Sequence, residues 1–194
     1  MLNVKEHGLK STQNNTTGFM KKAPLSFFNR PALIVAKELL GCFLATKTAD
    51  GIERYMITET EAYIGPHDQA SHAFKGRTKR TEVMYQASGT IYVYLIYGMY
   101  NMLNIVTDEK DYPAAVLIRA VEHNGLPITG PGRVAKHLHI DRMVNAKLLG
   151  KEANLWVELP AEPIKRKVIK TPRIGIDYAG PIWSQKQYRF LLTK

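Results

Sequence analysis

Two carboxylates, an imidazole, a group of cations and a dense run of tyrosines fall within one stretch, Ile57 to Asn104. Together they could do chemistry on a flat ring carried by a polyanion. The segment Ile57-Thr58-Glu59-Thr60-Glu61-Ala62-Tyr63 reads as a strand. Alternation puts Ile57, Glu59, Glu61 and Tyr63 on one face, with the two glutamate Cα atoms roughly 6–7 Å apart. Paired carboxylates can act as acid and base at a glycosidic bond. A strand exposed on one face also carries glutamates at alternate positions, and the spacing alone favours that plain reading. His72, the loop Lys75-Gly76-Arg77-Thr78-Lys79-Arg80 and the run Tyr92-Val93-Tyr94-Leu95-Ile96-Tyr97-Gly98-Met99-Tyr100 change the balance. Tyrosine runs are more often core than base-binding. Aromatic faces can stack on nucleobases, at about 1–3 kcal/mol each, and they attract cationic rings. A carboxylate beside them could activate water against a glycosidic bond or stabilise a developing positive sugar. The residues by themselves reach a hydrolase directed at nucleic acid.

Composition is consistent with that reading. A chain of 194 residues suits one domain with a substantial core. The formal net charge of +10 favours an anionic partner, most commonly nucleic acid, although a solvated cationic surface is an equal alternative. The single cysteine, Cys42, cannot form an internal disulfide and reads as a small buried hydrophobe. No CxxC or Cys/His cluster suggests zinc, and no metal or other cofactor is expected. No apolar run is long enough to span a bilayer, and the N-terminus lacks a signal-peptide core. The expected location is the cytoplasm, in association with the nucleoid.

The elements that must position these groups follow in order. Residues 1–23 read as a flexible polar tail, and residues 24–194 as one domain. Asn29 can cap a helix over Ala32 to Leu40, with Pro31 in its first turn and Gly41 at its end. Cys42 to Thr48 and Ile52 to Glu61 form a hairpin about Ala49-Asp50-Gly51. Asp68 to Phe74 allows one or two helical turns. Thr90 to Tyr97 is apolar on both faces, as in a buried strand, and Met102 to Val106 and Ala114 to Val121 are further strands. Asn104 and Arg119 lie inside these strands and need partners. Gly130-Pro131-Gly132-Arg133 opens a helix to about His139, whose start could receive an anion, although a simple turn into a helix is the plainer reading. Asn154 to Leu159 and Lys167 to Ile176 read as strands.

At these residues the chain resembles the alkyladenine (3-methyladenine, methylpurine) DNA glycosylase family. The matching segments are Phe28-Asn29-Arg30-Pro31, Glu59-Thr60-Glu61-Ala62-Tyr63, Ser71-His72, the run Tyr92 to Tyr100, Leu103-Asn104-Ile105, Val116-Leu117-Ile118-Arg119-Ala120, Gly130-Pro131-Gly132 and Arg173-Ile174-Gly175-Ile176. The resemblance implies one compact α+β domain, with a curved, mainly antiparallel sheet flanked by helices. It implies a monofunctional glycosylase without lyase activity that flips alkylated purines from duplex DNA. The substrates would be 3-methyladenine and related lesions, with hypoxanthine and ethenoadenine as further candidates.

By the same resemblance Glu61 is the general base and Arg119 helps hold Glu61 and its water. Tyr63, His72, Tyr94 and Asn104 would bind the base, and Tyr97 would fill the space it leaves. Lys75, Arg77, Lys79, Arg80 and Arg133 are candidate contacts to the DNA backbone. A monomer acting on double-stranded DNA, without a membrane, is expected. The loop Val106 to Pro113 has its own sequence and follows Asn104 closely. Two alternatives stand beside this reading, a non-catalytic damaged-DNA-binding protein and a hydrolase of free nucleosides. A charge of +10 and a Tyr97 wedge disfavour the second.

Overall fold

A computed structural model describes residues 20–162 and 165–193. Its β-branched and aromatic segments pair into one ten-stranded sheet, and every pairing is antiparallel. The strands are β1 (Lys21–Lys22), β2 (Phe43–Thr48), β3 (Gly51–Tyr63), β4 (Ile91–Ile96), β5 (Tyr100–Thr107), β6 (Ala114–His123), β7 (Leu126–Thr129), β8 (Leu155–Leu159), β9 (Val168–Thr171) and β10 (Arg189–Leu192). Three short helices complete the α+β fold: α1 (Ala32–Glu38), α2 (Pro131–His137) and α3 (Gly180–Ser184). The main path runs β1-β8-β2-β3-β6-β5-β4, with β7 added to β6 and β10 bridging β3 and β9. Among the described residues no helix is long and apolar enough to cross a membrane. Of the expected tail, residues 1–19 lie outside the described residues, whereas Lys21 and Lys22 pair with β8.

The principal core lies where α1 and α2 cover the sheet. Val35, Ala36 and Leu39 meet Ile57, Ala62 and Ile118, while Val134 and Leu138 join Leu103 and Ile105 in the same cluster. A smaller cluster of Ala73, Val83, Met84, Tyr92 and Ala115 forms around the short helical turns that follow β3. Cys42 is buried as expected, and burial pushes its thiol up to about 12. Alternate residues of β4 therefore serve different clusters: Ile91 and Val93 pack in the first, Tyr92 and Tyr94 in the second.

Several expectations shift. Pro31, not Asn29, stands at the N-cap of α1, and it makes no side-chain capping bond. The chain before that helix is held instead by the Asp108 amide, which donates to the carbonyls of Phe28 and Arg30. The loop after β5 thus has a structural job beside any influence on lesion choice. Gly51 pairs with Thr48 as the first residue of β3, leaving Ala49-Asp50 as a two-residue turn. The expected strand from Lys167 to Ile176 stops at Thr171, because Pro172 cannot donate to a ladder.

The largest departure is in β3 itself. The register to β6 slips at Glu59, from Ile57↔Val121 through Glu59↔Ala120 to Thr60↔Ile118. An added residue on each strand reverses which side chains face the core. Ile57 packs in the core with Ala62, and Thr60 donates to the Ala36 carbonyl of α1 at 2.7 Å. Glu59, Glu61 and Tyr63 share the opposite face without Ile57, contrary to simple alternation.

Candidate active site

Beyond the bulge, β3 presents its acids to three other segments. Arg119 is the residue of β6 that the slip leaves without a Cα partner on β3. Its Nε lies 2.9 Å from Glu59 Oε1 and 3.4 Å from Glu61 Oε1, so the shorter contact is to Glu59. On the other edge, β10 sets Arg189 across from Glu61, and its Nη1 reaches Glu59 Oε1 at 2.9 Å. Glu61 is fully enclosed, at 0% exposure. Its Oε1 accepts from the Ile174 amide at 2.8 Å, and its Oε2 accepts from the Tyr63 hydroxyl at 2.9 Å.

The loop carrying Ile174 is itself fixed by charge. Arg173 forms a two-pronged pair with Asp68, one prong at 2.8 Å, and both side chains are fully buried. Arg173 also donates to the Ala62 carbonyl and stacks 4.7 Å from the centre of the Tyr63 ring. Asp68 in turn accepts from the amides of Ile64 and Ala70. The end of β3, the turn after it and the loop before α3 are therefore one unit.

Beside this unit is a cavity of about 30 Å³ walled by Tyr63, His72, Tyr92, Tyr94, Asn104 and Tyr178, among others. That volume holds one or two waters. Asn104 donates through Nδ2 to the carbonyls of Tyr92 and Met102, both at 3.1 Å, which leaves its oxygen for the cavity. His72 stands edge-on to Tyr94, 4.6 Å between centres and at 78°. Arg80 Nη2 lies 3.3 Å from His72 Nε2. Arginine has no acceptor, so Nε2 accepts and the proton sits on Nδ1, which donates to Tyr92 Oη at 3.0 Å. The Tyr178 hydroxyl donates to the Ala70 carbonyl at 2.9 Å and holds that ring at the mouth.

Burial dominates the electrostatics. Enclosure raises the proton affinity of Glu61 above an ordinary carboxylate, against the lowering effects of Arg119, the Ile174 amide and the Tyr63 hydroxyl. Burial also pushes the Tyr63 hydroxyl well up, with the Glu61 charge adding to it. His72 falls to about 4 through burial and the nearby Arg80, so its ring is neutral at pH 7.

Of the residues singled out in the sequence, Tyr63, His72, Tyr94 and Asn104 meet at the cavity, and Glu61 with Arg119 lies next to Tyr63. Tyr97 stands apart at the tip of the β4–β5 hairpin, 87% exposed, with φ 53° beside Gly98 at φ 70°. Arg80 is at the cavity rim, and Lys75 and Lys79 line neighbouring grooves. Arg77 pairs with Glu82 at 2.7 Å and with Asp111 at 3.1 Å on the exposed surface. Arg133 donates to Thr129 at the start of α2. Sequence reasoning did not single out Asp68, Arg189 or Tyr178. For Arg173 the signal was present in Arg173-Ile174-Gly175-Ile176; Arg189 gave none, since only the β10 register brings it to Glu59.

Comparison with known proteins agrees with the geometry. The family description methylpurine-DNA glycosylase (MPG) matches residues 26–194. A Myxococcus xanthus protein named "Putative 3-methyladenine DNA glycosylase" is 46% identical over 176 residues, covering 88% of this chain and 89% of its own. Proteins of the same name from Methanocella arvoryzae and Legionella pneumophila (strain Corby) are 43% and 42% identical; they cover 83% and 89% of this chain, and 88% and 95% of theirs. With the match spanning residues 26–194, the chain belongs to the methylpurine-DNA glycosylase family.

Proposed function

We propose that the protein is a monofunctional DNA-3-methyladenine glycosylase of base-excision repair. It flips an alkylated purine out of duplex DNA into the cavity beside Tyr63 and hydrolyses the N-glycosidic bond, leaving an abasic site. The observation that carries this reading is Glu61, a fully buried carboxylate beside Arg119 and next to an aromatic cavity. A protein that only bound damage would have no need of such a costly group. Glu61 takes a proton from water as the water oxygen bonds to C1′. The C1′–N bond breaks, and its electron pair leaves with the base. A purine alkylated on a ring nitrogen is cationic, so it departs as a neutral molecule and is attracted to aromatic faces before it departs. The neutral His72 can accept or donate without adding a like charge.

Among the described residues no lysine lines the cavity, which favours hydrolysis over a Schiff base. The exposed tip Tyr97, Met99 and Tyr100 suits insertion between bases from the minor groove. Lys75, Arg77, Lys79, Arg80 and Arg133 would touch the backbone. The partner is double-stranded DNA with damaged purines, met as a monomer in the cytoplasm at the nucleoid.

The test is single-turnover base release from a duplex holding one alkylated adenine. Wild type should release the base, and Glu61→Gln should bind the same duplex but release roughly 10²–10⁴-fold more slowly, the range for loss of a general base. Tyr97→Ala should be slow through poor flipping while its melting temperature stays that of wild type. Binding without release by wild type, on every alkylated or deaminated purine tried, makes the protein a damaged-DNA-binding protein instead.

A further inference from the structure

Glu59 has no part in the mechanism above, yet Arg119 lies closer to it, at 2.9 Å, than to Glu61, at 3.4 Å. We propose that Glu59, anchored by Arg189, is a positioning residue that takes up Arg119 so that Glu61 keeps the proton-accepting role. The inference rests on the hydrolytic reading of the site.

The anchoring is explicit. Arg189 Nε donates to Thr171 Oγ1 at 2.8 Å and to the Pro172 carbonyl at 3.1 Å, which fixes the guanidinium against β9. Its Nη1 then holds Glu59 Oε1 at 2.9 Å, and the same oxygen accepts from Arg119 Nε at 2.9 Å. Glu61 is left with the longer 3.4 Å approach from Arg119. With Nε so engaged, the two Nη groups of Arg119 have no hydrogen-bond partner among the described residues and remain for water or the sugar. The bulge makes this possible, because it turns Glu59 to the site face while Ile57 stays in the core.

The charges around Glu61 come from every element packed on it. They are Glu59 and the Tyr63 hydroxyl on β3, Arg119 on β6, Arg189 on β10, and Arg173 in the loop, itself paired with Asp68. The Tyr94 and Tyr178 hydroxyls also feel the Glu61 charge. Asp68 offsets Arg173, so Glu59 alone stands between Glu61 and two arginines. Without its charge, Arg119 is free to form a two-pronged pair with Glu61, and both cations act on that carboxylate. A carboxylate so held is a weaker base.

The test is the pH profile of single-turnover release for wild type, Glu59→Gln, Glu59→Asp and Arg189→Gln. Glu59→Gln should lower the plateau roughly 3- to 10-fold, as expected for a weakened base, and move the acid limb down by about one unit. Glu59→Asp should bring the limb back towards wild type. Arg189→Gln removes a cation and should move the limb the other way, to higher pH. Opposite displacements by two neighbours cannot come from general loosening, and melting temperatures check folding separately. A Glu59→Gln profile with an unmoved acid limb, whatever its plateau, overturns the proposal. Failure of wild type to release base overturns hydrolysis itself, a distinct outcome.

Discussion

The pair Asp68–Arg173 offers the sharpest test of how the site is held together. In Asp68→Asn, Arg173 keeps its place with no exposure to water but loses its counter-charge. It retains the Ala62 carbonyl and the Tyr63 ring, but its Nε already lacks a partner and no carboxylate is left paired with it. Removing one partner of a buried ion pair costs about 3–5 kcal/mol. At about 2–4 °C per kcal/mol for a domain of this size, the melting temperature should fall by roughly 10 °C. Equilibrium urea unfolding at pH 7, read by fluorescence and circular dichroism, gives the free energy directly. The double variant Asp68→Leu/Arg173→Met should recover most of the loss, because it leaves no buried charge behind. An Asp68→Asn protein within about 1 kcal/mol of wild type would refute the reasoning, since that is the range of an exposed pair.

Two further outcomes follow from single residues. The His72 ring should titrate near pH 4 when followed by NMR, far from its usual 6.5. Its folded value is the lower one, so the unfolded chain binds the extra proton between those limits; stability should fall as pH drops from about 6.5 towards 4 and level off below. A midpoint above 6 would contradict the burial argument. Gly65→Ala meets two obstacles, a φ of +110° and a new Cβ only 2.7 Å from the Tyr112 ring. A loss of about 1–3 kcal/mol is expected in urea unfolding, with the clash part relieved in the Tyr112→Ala background. An equal loss in both backgrounds would assign it all to the backbone.

Much of this architecture was legible because it is local. The Asp50-Gly51 signal and the alternation on either side of it produce the β2–β3 hairpin, and Gly130-Pro131 marks the start of α2. Tyr63, His72, Tyr94 and Asn104 were grouped by motif, and they share one cavity. The bulge was not legible, since a slipped register depends on both strands, and it misplaced Ile57. Arg189 was invisible for a related reason: it lies 130 residues from Glu59, and only the β10 pairing brings them together. The cap of α1 failed because Pro31 already occupies that position and the help comes from Asp108, far along the chain.

The hairpin tip has one more consequence, for the protein in solution rather than on its substrate. Tyr97, Met99 and Tyr100 form an apolar prow in water, the kind of surface through which copies adhere. A net charge of +10 on every copy opposes that contact. The same charge draws the chain to a polyanion, and salt weakens both effects together: the screening length shrinks from about 10 Å at 0.1 M to about 3 Å at 1 M. Concentrated salt, the natural means of stripping such a protein from nucleic acid, is thus also the condition in which its molecules repel one another least. Colloidal stability and substrate attraction draw on one reserve of charge.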